Sequence, residues 1–175
     1  MRTMWLAIAL AACSGTKEGG ADWSGRPLIE TAGKVGDATA GTLAYTIQLP
    51  KGLSPDPHTT GGITIGYEAN EGGHRDFKAP SVMVGYDAIP PKSLDEAVQS
   101  AMPDPTNEVV RKDPIPGGFI VTTRGKSHKH WKVDVTKIAG DKGVGCMAQQ
   151  ANDDAELGDA TRALLEKICL SLVVK

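Results

Sequence analysis

Aromatic side chains are scarce: three Trp, three Tyr and two Phe, 5% of 175 residues. A core built from this chain must therefore be mostly aliphatic. A strong charge of either sign is missing too, with 19 Lys and Arg against 21 Asp and Glu. That mild acidity excludes the basic footprint of a nucleic-acid-binding protein. No apolar run reaches the roughly 20 residues that span a bilayer as a helix. There are three cysteines and no Cys-x-x-Cys, which leaves no dithiol redox motif. No Gly-Lys-Ser/Thr follows Gly61-Gly62 or Gly72-Gly73, so neither glycine pair opens a phosphate loop. A Gly-x-Ser-x-Gly nucleophile elbow is absent as well. The carboxylate pairs Asp95-Glu96 and Asp153-Asp154 sit at expected helix starts, where the backbone dipole accounts for them. The sequence thus nominates no catalytic residue and no cofactor, and the chain is not expected to be an enzyme.

What is present begins at the N-terminus. Arg2 precedes a short apolar run, Met4-Trp5-Leu6-Ala7-Ile8-Ala9-Leu10, which has the charge and length of an export signal. It closes on Leu10-Ala11-Ala12-Cys13, an aliphatic residue, two small residues and cysteine. This resembles the lipobox of bacterial lipoprotein precursors. The small residues admit the peptidase, and the thiol carries the diacylglycerol. The resemblance implies a signal peptide over residues 1–12 and lipidation at Cys13. An ordinary secreted protein is the rival reading. Several acyl chains, as that family carries, would hold the protein on a membrane permanently, whereas one chain would not. Residue 14 is Ser, and the family's retention rule places Asp there for the inner membrane. The expected address is therefore the bacterial envelope, at the outer membrane more than the inner.

Ser14 to about Gly41 shows no hydrophobic period and is rich in Gly, Ala, Thr and charge. It reads as a flexible tether, giving a lipidated segment at 13–41, with Trp23 an incidental linker residue or else a contact with the domain or the membrane surface. A single α+β domain is expected over 42–175. Leu43, Tyr45, Ile47 and Leu49 alternate with small or polar residues, a half-buried strand stopped by Pro50. Further strands are expected around Ile63–Glu68, Val82–Tyr86, Val109-Val110, Phe119–Thr123, Trp131–Thr136 and Val144–Ala148. Ser93-Leu94-Asp95-Glu96 fits a capping box that starts a helix ending near Met102. Leu157, Ala160, Leu164, Ile168 and Leu172 form one apolar stripe of a C-terminal helix lying on the sheet.

The expected architecture is α+β. It has an antiparallel sheet of about six to seven strands, a short helix after the third, and a C-terminal helix packed on the sheet. That order is similar to the PsbP-like, Mog-type sandwich from Leu43 to Lys175. Leu49-Pro50-Lys51-Gly52 after the first strand and the closing Ile168-Cys169-Leu170-Ser171-Leu172 fit the same pattern. The resemblance implies a non-catalytic binding or assembly domain. Its partner would be another envelope protein, with the membrane contacted through lipid on Cys13.

With Cys13 taken by lipid, Cys146 and Cys169 remain. Cys146 shares parity with Val144 and Ala148, and Cys169 adjoins the helical stripe. A disulfide between them fits an oxidising compartment. Two buried free thiols are the alternative. His128 and His130, two apart at a strand start, suit a metal such as zinc or copper, or else an exposed strand edge. Arg124, Lys126, Lys129 and Lys132 form a local basic cluster. It would suit anionic head groups or an acidic partner, or serve as a solvated edge that blocks aggregation. An enzyme or a carrier of a small ligand or metal, with its site hidden from sequence, stands as the alternative function.

Overall fold

The structure is a computed structural model that describes residues 23–37, 39, 41–59, 62–71, 74–76, 78–102, 105–125, 129–152 and 156–175. After a 3-10 turn at Trp23–Gly25 come strands β1 (Leu28–Asp37), β2 (Gly41–Pro50), β3 (Leu53–Pro55), β4 (Thr64–Glu71), β5 (His74–Arg75) and β6 (Ser81–Asp87). Helix α1 (Leu94–Ala101) follows, then β7 (Asn107–Ile115), β8 (Gly118–Gly125), β9 (His130–Ala139) and β10 (Lys142–Ala151). Helix α2 (Asp159–Leu170) and β11 (Val173–Val174) close the chain. The α+β class and the antiparallel pairing hold, but the strands divide into two sheets. The larger runs β3-β4-β6-β10-β9-β8-β7, with β5 paired to β4, and the smaller runs β1-β2-β11.

One face of the large sheet carries the main core. Its inward residues follow the two-residue period: Val82 and Val84 of β6, Val144, Cys146 and Ala148 of β10, and Trp131, Val133 and Val135 of β9 are all buried. β1 of the small sheet crosses over β4 and β6, while α2 lies over β9 and β10 and also touches β2. Leu164, Leu165, Ile168 and Cys169 are the buried face of α2, a stripe one residue wider than the expected one. Ala160, expected in that stripe, is exposed because it sits in the first turn beyond the sheet. At the far edge, Glu166 accepts hydrogen bonds from Arg111 at 2.6 Å and Thr122 at 3.0 Å, which ties α2 to β7 and β8.

The expected capping box forms with one shift. Ser93 Oγ accepts the amide of Glu96, but the Glu96 carboxylate takes the amide of Lys92 rather than that of Ser93. β7 is longer than expected and runs through Pro114. Proline fits there because β7 is an edge strand, where a missing amide hydrogen costs the ladder nothing.

The tether expected over 13–41 is corrected over Trp23–Asp37, while 13–22 lie outside the described residues. Trp23 is 2% exposed and belongs to the core. β1 pairs with β2 along its whole length, from Leu28 opposite Pro50 to Asp37 opposite Gly41. The domain therefore includes Trp23–Asp37. The reason the strand escaped notice lies in its partner. The inward positions of β1 are Thr31, Gly33 and Val35, so small and polar residues stand where a hydrophobic period would show. Gly33 sits opposite Tyr45, and a side chain on Gly33 would run into the Tyr45 ring and hydroxyl. The bulk missing from β1 is supplied by β2. The turn between them needs Gly36, whose φ of 129° and contact with the Gly41 backbone leave no room for a Cβ. The Tyr45 hydroxyl lies 2.7 Å from that of Tyr67 on β4, so a buried hydrogen bond joins the two sheets.

Cys146 and Cys169 are joined by a disulfide, with Cα atoms 5.4 Å apart. The face-to-face packing of α2 on β10 brings them together.

Two outcomes test this arrangement. Trp23→Ala should lower unfolding stability by about 3–5 kcal/mol in urea denaturation, whereas a tether residue would give no change. Cys146→Ala with Cys169→Ala should cost about 3 kcal/mol, the loop-closure value for a crosslink spanning 23 residues, measured the same way.

Candidate binding face

The second face of the large sheet is only partly covered. α1 packs Ala97 and Ala101 against Val121, with Val98, Val109 and Phe119 around them, and so shields the β7–β8 end. The rest presents the alternate residues of three neighbouring strands: Ser81, Met83 and Gly85 of β6, Gln149, Met147 and Gly145 of β10, and Lys132, Asp134 and Thr136 of β9. Registration aligns them, with Met83 opposite Met147 and Met147 opposite Asp134.

Two shallow cavities share these strands. One, of about 270 Å³, is lined by Glu68, Asp76, Ser81, His130, Gln149 and Gln150, among others. It falls below the roughly 300–1,000 Å³ of ordinary small-molecule sites, and its shape suits surface contact better than an enclosed cargo. The other, of about 250 Å³, lies over Met83, Met147 and Asp134.

Asp134 is the titratable group with a clear assignment here. Burial pushes its carboxyl up to about 6, against the opposing pull of the Lys132 ammonium. Lys132 Nζ stands 3.2 Å from Asp134 Oδ2 and donates to the Ala101 carbonyl at 3.0 Å, so it ties the end of α1 to β9. On the core side, burial raises both Tyr45 and Tyr67 above the ordinary phenol value. They remain neutral hydrogen-bonding groups and supply no acid or base near neutral pH.

The expected basic cluster is not assembled as one patch. Arg124 lies opposite Trp131 on the core face of the sheet, where its guanidinium reaches over the Trp131 ring and pairs with Glu108 at 2.8 Å. Lys132 points to the other face. Arg124 and Lys132 are both even-numbered, but the hairpin between β8 and β9 pairs even positions with odd ones, so they part to opposite sides. Lys129 is exposed just before β9. Lys126 and His128 lie outside the described residues, as does Cys13. His130 begins β9, with its imidazole resting over Gly125, where a Cβ would strike the ring. Among the described residues no group of three His, Cys, Asp or Glu converges as a metal site, and no helix is long and apolar enough to cross a membrane.

The row Met83–Met147–Asp134 escaped sequence reading. Its signal was legible in part, since each residue has the opposite parity to buried neighbours such as Val82, Cys146 and Val133. Which strands stand side by side was not legible.

No family model matches the sequence, and no curated protein matches it. Among solved structures, the chain is similar to the solution structure of cyanobacterial PsbP (CyanoP) from Synechocystis sp. PCC 6803. The TM-score is 0.47 at 14% identity, covering 95% of this chain and 99% of that one. The α+β assignment rests on the strands and helices described above.

Asp134 gives a pH-dependent prediction. Its folded carboxyl titrates near 6 while an unfolded Asp titrates near 3.9, so between these values the folded state holds a proton that the unfolded chain releases. Stability from this group is complete below about pH 4 and is lost as pH rises through 6. Asp134→Asn should therefore gain in urea midpoint relative to the parent on going from pH 5 to pH 7.5. A parent-to-variant difference that stays constant across that range would contradict the assignment.

Proposed function

We propose that the chain is the precursor of a bacterial envelope lipoprotein. It is cut before Cys13 and held by lipid on that residue, and it carries a non-catalytic domain that binds or helps assemble another envelope protein. The observation that carries this reading is the allocation of the cysteines. Cys146 and Cys169 close a disulfide inside the core, which suits an oxidising compartment. That leaves Cys13 as the one remaining cysteine, and it stands at the end of the lipobox-like Leu10-Ala11-Ala12-Cys13. Ser14 in place of Asp directs the proposal to the outer membrane.

The binding reading draws on the open sheet face. A sheet normally covers both faces or fills the free one with charged and polar residues. Here the free face mixes polar and charged residues (Ser81, Gln149, Lys132, Asp134, Thr136) with Gly85, Gly145, Met83 and Met147, and the two methionines can repack against a partner. A role for His128 and His130 in metal handling, or for the basic cluster at head groups, has less support. Arg124, Lys132 and His130 are each engaged by the domain itself.

The deciding experiment is expression of the full chain in a bacterial host, with membrane fractionation and intact mass of the detergent-extracted protein. The expected product begins at Cys13, carries acyl chains and sediments with membranes. Cys13→Ala should appear uncleaved or soluble. A mature chain that begins elsewhere without lipid would overturn the anchor.

A further inference from the structure

We propose that Met83, Met147 and Asp134 form a binding site for a soft monovalent metal ion, Cu(I) or Ag(I), on the open face of the large sheet. The geometry comes from the register. Met83 is the cross-strand partner of Met147, and Met147 is the partner of Asp134 on its other side. Directly opposed residues of antiparallel strands keep their Cβ atoms about 4.5–5.5 Å apart on the same face. Three neighbouring donors therefore stand in one line across β6, β10 and β9. Methionine has three rotatable bonds, so two adjacent thioethers can converge on one ion without moving the backbone. All three residues line the same groove of about 250 Å³.

The surroundings leave that groove open. Gly85 faces Gly145 in the next row, so no side chain from β6 or β10 stands beside the methionines there. A Cβ at Gly145 would meet nothing closer than the Gly85 carbonyl oxygen at 4.0 Å. On the other flank Gly66 is the partner of Met83, and Thr59 covers it by accepting its amide hydrogen at 2.7 Å. Met83 is itself 37% exposed, so an ion can reach its sulfur from solvent.

The donor set selects the ion. Thioether sulfur is soft and neutral, favours Cu(I), and is a poor ligand for Mg or Ca. Lys132 Nζ stands 3.2 Å from Asp134 Oδ2, and the ion would take a carboxylate oxygen of Asp134 beside that ammonium. Structural zinc is excluded by the ligand count, since it takes four donors drawn from Cys, His and carboxylate. His130 is four residues before Asp134 on the same strand, about 13 Å away at the rise of an extended chain. This site is therefore separate from the His128–His130 pair. It also stands independently of the lipid anchor, because it uses only residues of the domain.

The test uses the full chain with its disulfide intact and Cys13 capped by alkylation, so that no free thiol competes. Silver nitrate is titrated in chloride-free buffer and followed by native mass spectrometry and by NMR of 13C-methyl methionine. One Ag(I) should bind, and the methyl signals of Met83 and Met147 should shift while those of the other methionines stay in place. Met83→Leu with Met147→Leu conserves volume and should retain the parent's circular dichroism while losing the bound ion. Asp134→Asn should weaken binding by about tenfold or more, at least the loss seen when groups that merely support a metal ligand are removed. Zn(II) should leave the methyl signals unmoved. The site is overturned by any of three results: no Ag(I) bound, a bound ion retained by the folded double Leu variant, or affinity unchanged in Asp134→Asn.

Discussion

The inner face of the large sheet is too wide for any one element to cover, and the domain depends on how two elements divide it. The small sheet takes the β4–β6 half, and α2 takes the β9–β10 half. Each cover is held by one directional contact placed inside the apolar area. The Tyr45–Tyr67 hydroxyl pair joins the sheets, and the Cys146–Cys169 disulfide joins α2 to the middle strand. Aliphatic burial supplies most of the driving force but does not select one arrangement. A buried hydroxyl pair and a crosslink do select, because each is satisfied in one register only.

This division explains the unequal faces. The covered face takes the large aliphatic residues together with Trp23 and Trp131, the latter anchored through its indole to the Leu157 carbonyl just before α2. On the other face, among the described residues, lies α1, fastened by Ala97 and Ala101 and by the Lys132 bond to the end of the helix. Next to that helix lie the outward residues of β6, β10 and β9, among which Met83 is 37% exposed. A stable domain leaves little apolar surface uncovered without a use. This strip carries two thioethers and a carboxylate whose acidity is weakened by burial. The binding reading and the metal reading both start from that strip. They differ in whether its occupant is a protein surface or an ion.

Asp134 also links the strip to the helix. Its ion pair with Lys132 and the Lys132 bond to Ala101 form one chain of contacts from the groove to the end of α1. Lys132 therefore belongs to the internal architecture, though sequence proximity placed it with Arg124 and Lys129. Two residues of the same parity on neighbouring strands fall on opposite faces of a sheet when the register pairs even positions with odd ones, as it does between β8 and β9.

The sequence by itself determined the elements with strong local periods. The alternation in Thr42–Leu49, Val82–Tyr86 and Val144–Ala148, and the Ser93–Glu96 cap, are each properties of a few adjacent residues, so they are legible without a partner. It also determined the inward parity of Cys146. Tertiary structure alone decided what depends on residues far apart in the chain. β1 exists as a strand because Tyr45 fills the space above Gly33, and Trp23 is core because α2 lies beside it. The split into two sheets, the parting of Arg124 from Lys132, and the line of Met83, Met147 and Asp134 all follow from strand order and register. Those are set by packing across the sheet, where a residue's neighbours lie tens of positions away along the chain.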